Sequence, residues 1–270
     1  RERDYNFCDL LSGSEGTLAF TTEITLQLDD LPPSASVMVA SHYKSINDCL
    51  NDVANTMTHN LYTCEMMDKI ILDCTKNNAT QSKNRFFIED DPAAILMLEL
   101  KAPTLEEAKR KAQNLISDLE KAGLSYANPV LAGEEINQAL ELRKAGLGLL
   151  GNMIGDRKAV ACIEDTALAL PDLANFIADF SILMDKFQQQ AVYYAHAGAG
   201  EIHLRPILNL KDADDVGLFR QITTEVAHLT KKYEGSFSGE HGDGIVRAEF
   251  IPLMIGAKNY ELLKRVKKAF

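Results

Sequence analysis

The chain has 270 residues, 46% hydrophobic and 25% charged, with no tryptophan, an ordinary composition for one or two globular domains. Its 28 basic and 39 acidic side chains give a net charge of −11, which repels phosphate backbones and argues against nucleic-acid binding. No run approaches the roughly 18 apolar residues of a membrane span, and no signal-peptide pattern opens the chain. Cys8, Cys49, Cys64, Cys74 and Cys162 are odd in number and form no CxxC pair, so they read as reduced, partly buried thiols of a cytoplasmic protein.

The chain opens on Arg1, and its last apolar pattern (Tyr260, Leu262, Leu263, Val266, Phe270) stops in mid-helix; both ends read as those of a portion of a larger protein. Between Phe20 and Leu28, Ile24, Leu26 and Leu28 alternate with Glu23, Thr25 and Gln27, the period of a half-buried strand. Pro32-Pro33 then punctuates the chain as a joint between domains would. Val37–Ala40 reads as a strand, and Ser45, with Asp48 three residues on, caps a helix with Ile46, Cys49, Leu50, Val53 and Met57 on its apolar face. A second such passage runs from strand Ala94–Leu100 through the Thr104/Glu107 capping box to a helix that buries Leu105, Ala108, Ala112, Leu115, Ile116, Leu119 and Ala122 before Gly123 ends it. Lys109-Arg110-Lys111 is the solvated side of that helix. A helix from Glu134 to about Ala145 carries Arg143, and Pro171 opens another containing Leu173, Phe176, Ile177, Phe180 and Leu183. The pattern predicts an α+β fold, an antiparallel sheet with helices over one face, built from ferredoxin-like βαβ repeats.

Four of the six histidines fall between positions 196 and 241, three of them among glycines: His196-Ala-Gly-Ala-Gly-Glu-Ile-His203, and Gly239-Glu240-His241-Gly242-Asp243-Gly244. Glycines let a backbone turn sharply or approach a ligand closely. His196 and His203 would point to opposite sides of one straight strand, whereas a turn at Gly198 and Gly200 could bring both imidazoles together. Glu240 would then complete a two-histidine, one-carboxylate metal set with open positions. A surface hairpin with hydrogen-bonded histidines fits the spacing as well. His241, beside Glu240, is the candidate base, since imidazole titrates near neutrality. Arg143 and Arg205 are the candidate partners for an acidic substrate, with a surface ion pair as the other reading of each. His42, His59 and His228 lack such company and read as structural or surface residues.

Together with Gly13-Ser14-Glu15-Gly16-Thr17-Leu18, these segments, in this order and at this separation, resemble the FAD-linked oxidases of the vanillyl-alcohol-oxidase superfamily, in the branch of glycolate oxidase, D-lactate dehydrogenase and D-2-hydroxyglutarate dehydrogenase. The resemblance implies that residues 1–32 are the C-terminal remnant of an FAD-binding domain and 33–270 the substrate or cap domain, with the rest of the FAD domain upstream in the parent chain. It implies a flavin contact for Gly13, Ser14, Glu15, Gly16 and Thr17. His196, His203 and Glu240 become ligands of a divalent metal, zinc or manganese, His241 the catalytic base, and Arg143 and Arg205 substrate-binding. Ala199 and Glu201 stand where the family usually has Asp and Asn, and Arg205 where it often has Asn. The implied activity is oxidation of a D-2-hydroxy acid by hydride transfer to flavin, in a parent enzyme that is cytoplasmic or peripheral to the inner membrane and compatible with a homodimer; the chain alone is expected not to turn over. Two other classes fit the same residues: a metal-dependent hydrolase using His196, His203 and Glu240, although no HExxH helix is present, and a non-catalytic carboxylate-binding module.

Overall fold

The structure, a computed structural model, describes residues 6–270 apart from the side chain of Leu147; positions 1–5 of the segment read as a flavin-domain remnant lie outside the described residues. After α1 (Phe7–Ser12) the chain runs without strand pairing to residue 34. The strand expected over Phe20–Leu28 is therefore not formed, and Ile24, Leu26 and Leu28 are exposed. An alternating pattern becomes a strand only where a neighbour takes up its N–H and C=O groups, and none of the described residues does so here.

From there β1 (Ala35–Tyr43), α2 (Ile46–Thr56), β2 (Thr63–Asp68), α3 (Lys69–Lys76), β3 (Ala94–Ala102), α4 (Leu105–Ala122) and β4 (Ser125–Ala127) follow in order. The caps are those the sequence indicates: Ser45 Oγ accepts from Asp48 N at 3.0 Å, Thr104 Oγ1 from Glu107 N at 3.3 Å, and Gly123 ends α4 at φ 67°. Each such N-cap contributes about 1 kcal/mol. Next come β5 (Val130–Ala132), α5 (Glu134–Leu150), β6 (Lys158–Ala159), β7 (Thr166–Ala167), α6 (Leu173–Lys186), β8 (Ala191–His196), β9 (Glu201–Leu208) and α7 (Ala213–Lys232). The short α8 (Gly244–Arg247) and α9 (Ile251–Ile255) and the longer α10 (Ala257–Ala269) close the chain. None of the described helices is long and apolar enough to cross a membrane.

The strands form one antiparallel sheet in the order β4-β1-β3-β2-β8-β9-β6. Its first half, β1-α2-β2-β3-α4-β4 in spatial order 4-1-3-2, is ferredoxin-like. The second half repeats that path in shortened form through β7, α6, β8, β9 and α7, and the Ala167–Ser236 bridge stands where the fourth strand would lie. The two halves meet edge to edge where Met66 faces Ala195 and Met67 faces Tyr194.

One side of the sheet buries Val37, Val39, Leu96 and Leu98 against the repeat helices, with Leu50 and Val53 of α2, Leu115 of α4, Phe176 and Phe180 of α6 and Val226 of α7. The sequence pattern placed helices over one face; the other side is covered as well, burying Met38, Ala40, Ile95 and Met97 against Ile71 and Leu72 of α3 and Ile136, Ala139 and Leu142 of α5. The difference has a physical reason: β1 and β3 are apolar at consecutive positions, so neither of their faces can be left to water. Full burial of a side chain of this size is worth about 1.5–3 kcal/mol, and α3 and α5 supply it on the second face.

The β8–β9 turn depends on Gly200, which sits at φ 76° with its would-be Cβ 2.1 Å from the carbonyl oxygen of Leu168. A non-glycine residue held in this region costs about 1–3 kcal/mol before any clash. Gly200→Ala is expected to lower stability by at least about that amount, read as a lower urea midpoint at unchanged m-value.

Candidate active site

The register of β8 and β9 sets the site. Tyr194 lies opposite His203, His196 opposite Glu201, and Val192 opposite Arg205; directly opposed residues of an antiparallel pair share a face. That face is the one covered by α3 and α5. The turn over Ala197–Gly200 therefore brings His196 and His203 together, with ring centres 5.3 Å apart.

The loop after Ser236 brings Glu240 and His241 to the same place. Three imidazole nitrogens converge on a single oxygen: His196 Nε2, His203 Nε2 and His241 Nε2 stand 3.5, 3.7 and 3.2 Å from Glu240 Oε1. One potential ligand atom from each of Glu201, His203, Glu240 and His241 lies within 4.8 Å of the others; His196, expected as a ligand, is outside that group and touches it through Glu240. His203 is buried and stacks on Tyr194 at 4.5 Å. Burial and the neighbouring imidazoles push its pKa down to about 4, against the opposing charges of Glu164 and Glu240, so it is a neutral imidazole near pH 7. Either tautomer leaves a ring lone pair toward carboxylate oxygens: Nδ1 toward Glu164 at 3.8 Å, or Nε2 toward Glu201 and Glu240 at 3.9 and 3.7 Å. His203 Nδ1 and Glu201 Oε1 are buried with no hydrogen-bond partner. A divalent cation among these nitrogens and oxygens would resolve the conflict, so the donor set fits one.

His196 is oriented from the other half of the sheet. Its Nδ1 lies 3.0 Å from the carboxylate of Glu65 on β2, which also forms an ion pair with Arg143 of α5. The Glu65 hydrogen bond raises the pKa of His196 despite burial. A carboxylate on one ring nitrogen aims the other, a common arrangement behind metal-binding histidines, and here Nε2 is left toward Glu240.

Asp165 holds the third glycine segment. Fully buried at φ 89°, it accepts from Glu240 N at 2.7 Å, His241 N at 3.0 Å and Ser238 Oγ at 3.0 Å, and pairs with Arg247 at 3.2 Å. Burial alone would raise its pKa, but hydrogen bonds from Glu201, the two backbone N–H groups and Ser238 bring it below the ordinary range. Glu201 shifts the opposite way, to about 8, because of burial, its hydrogen bond to Asp165 and the charges of Glu240 and Asp165.

The two candidate substrate arginines differ in their surroundings. Arg143, 3.5 Å from His196 Nδ1, keeps a buried Nε without a hydrogen-bond partner. With Met67, Ile71, Lys144 and Tyr194 it bounds a cavity of about 160 Å³. Arg205 instead forms two 2.8 Å hydrogen bonds to Glu164, whose other donor is Tyr194 Oη at 2.5 Å; its guanidinium is engaged inside the fold. The Gly13–Thr17 motif forms an exposed turn whose Glu15 carboxylate accepts from Asp243 N at 2.9 Å and Gly244 N at 3.4 Å, so it abuts the segment carrying His241. Gly242 sits at this contact with φ 78°, a backbone conformation that other residues adopt only at a cost. Among the residues read as structural, His42 is buried with both ring nitrogens bonded, and His59 pairs with Asp118.

Sequence reasoning missed Glu65, Glu164, Asp165 and Tyr194. Tyr194 lies two residues before His196, on the same face of the strand, a signal that was readable once a hairpin was assumed; the acidic residues lie far along the chain and carry no spacing signal. Replacing Asp165 by Ala takes the carboxylate partner from Arg247, which keeps the carbonyl oxygens of Glu164 and Gly242 as acceptors, and removing one partner of a buried pair costs roughly 3–5 kcal/mol. Chemical denaturation of Asp165→Ala is expected to show a loss of that order, together with faster amide exchange at Glu240 and His241.

The family model described as FAD linked oxidases, C-terminal domain, matches residues 32–270. D-2-hydroxyglutarate dehydrogenase of Pseudomonas putida is 34% identical over 276 residues, covering 98% of this chain and 27% of that protein. Glycolate oxidase subunit GlcD of Bacillus subtilis is 22% identical, covering 98% of this chain and 55% of that protein. The chain thus spans about a quarter of the first relative and about half of the second. Among solved structures, p-cresol methylhydroxylase with substrate bound superposes with a TM-score of 0.60 at 12% identity, over 88% of this chain and 50% of that one; this likeness bears on the fold. With nearly all of its length matched by one family model, the chain belongs to the FAD-linked oxidases as their C-terminal domain.

Proposed function

We propose that this domain, spanning residues 33–270, binds and activates the substrate of an FAD-dependent enzyme that oxidises a D-2-hydroxy acid, and that His196, His203 and Glu240 hold a divalent cation, zinc or manganese. The observation that carries the reading is the convergence of three imidazole Nε2 atoms on Glu240 Oε1 next to Arg143. When bound, the flavin supplies the acceptor for the hydride of the substrate's carbinol carbon, and the cation supplies Lewis acidity toward the hydroxyl oxygen.

The chain's own residues do the rest. Arg143 binds the substrate carboxylate through the donors that Glu65 leaves free, and the adjoining cavity takes the carbon skeleton. His241, half exposed, takes the hydroxyl proton on Nε2, a step worth about 10²–10⁴-fold. Glu65 keeps His196 in one orientation, and the Tyr194 ring and the Glu164–Arg205 pair hold His203 from beneath. In this reading Arg205 supports the site through Glu164, and the exposed Gly13–Thr17 backbone, fixed by Glu15 beside His241, lines the flavin nucleotide.

The test uses the flavin-loaded enzyme that carries this domain, assayed with D-2-hydroxyglutarate, D-lactate and glycolate, with metal content measured in parallel. Glu240→Ala is expected to lose the metal and the activity together. His241→Ala should retain the metal while kcat falls about 10²–10⁴-fold, and Arg143→Ala should act mainly by raising KM. An enzyme that purifies without flavin, or a wild type that binds no divalent metal yet oxidises the acids, overturns the proposal.

A further inference from the structure

Glu201 stands at the first position of β9, opposite His196 and two residues before His203, on the face that carries the imidazoles. Its side chain is only 8% exposed, and Oε1 is buried without a hydrogen-bond partner, 3.9 Å from His203 Nε2. It belongs to the same 4.8 Å cluster of potential ligand atoms as His203, Glu240 and His241. The loop bearing Glu240 packs on it: a Cβ on Gly239 would lie 3.1 Å from its carboxyl carbon. On its far side is Asp165, itself paired with Arg247. An unpartnered carboxylate oxygen, buried beside a set of nitrogen and oxygen donors, is what a coordinating residue looks like before its ion arrives.

We infer that Glu201 is a fourth protein ligand of the cation, giving two imidazoles and two carboxylates; the inference rests on the metal reading proposed above. The consequence is chemical. Four protein ligands would fill the tetrahedral shell that zinc prefers and leave no position for substrate. A six-coordinate ion such as Mn²⁺, suited to oxygen donors, would keep two positions, enough for the hydroxyl and one carboxylate oxygen of a 2-hydroxy acid. Glu201 thus biases the site toward manganese over zinc, relative to a site without it.

The experiment is a calorimetric titration of the metal-stripped protein with MnCl₂ and with ZnCl₂, for the wild type and for Glu201→Gln. The amide of glutamine can still donate to Asp165 and so preserves the loop, but it is a poor ligand. The expected result is Mn²⁺ affinity about 10- to 100-fold weaker in Glu201→Gln, on the scale of altered metal sites, with a smaller loss for Zn²⁺ and an unchanged metal-free melting curve. Equal Mn²⁺ affinity in the two proteins overturns the role of Glu201 while leaving the three-ligand site intact; a wild type that binds neither ion overturns both. Should Glu201→Gln fail to fold, the wild type decides alone: pulsed magnetic resonance of bound Mn²⁺ in H₂¹⁷O counts its water ligands, with two or fewer expected and three or more contradicting a fourth protein ligand.

Discussion

A slip of one residue between β8 and β9 would turn His203, Glu201 and Arg205 away from His196 and Tyr194 and dismantle the site without breaking the sheet. Two constraints prevent it. The turn can close only with Gly200 in the left-handed region against the Leu168 carbonyl. The alternate residues of β9, Ile202, Leu204 and Leu208, are buried in the core on the opposite side, so that a slip would exchange them for His203 and Arg205. The apolar core and the chemistry thus depend on the same register.

The architecture explains why the site lies where it does. Two ferredoxin-like halves joined edge to edge give a sheet whose repeat helices cover one side only. The side left over is where α3 and α5 pack, and α5 reaches far enough along the seam to deliver Arg143. Glu65 belongs to the first half and His196 to the second, so their 3.0 Å contact crosses the seam. The pairing of Met66 with Ala195 next to it sets the register that brings the two side chains together. Orientation of the first histidine is therefore a property of the joint between the halves, not of either half.

What the sequence made legible follows from how local each signal is. The caps at Ser45, Thr104 and Gly123 involve neighbours within a few residues, and the helices start and end where those residues stand. The glycine-bordered histidines were readable as a turn because the odd spacing of His196 and His203 demanded one. The half-buried strand at Phe20–Leu28 was misread because alternation states a capacity to pair, while pairing is decided by a partner elsewhere. The cover over the second face was missed for a related reason: the apolar runs of β1 and β3 imply two buried faces, but which helices supply the cover is a tertiary fact. Asp165, which shapes the loop of Glu240 and His241 from about 75 residues away, leaves no trace in any local pattern.

Charge ties these observations together. Five acidic side chains crowd the site. Glu65 is matched by Arg143 and His196, Glu164 by Arg205 and Tyr194, and Asp165 by Arg247 and three donors of the 238–241 loop. Among the described residues, the ion pairs of Glu201 and Glu240 involve only histidines, one of which, His203, is held neutral by burial. Two carboxylates drawn together without a lysine or arginine between them repel each other, and burial of Glu201 makes that repulsion costlier than it would be in water. Protonation of Glu201 relieves part of it in the free protein. In the reading proposed above, a doubly charged cation held beside His203, Glu201 and Glu240 would offset that repulsion, and the same reading would account for so dense a cluster of acids on one face of the sheet.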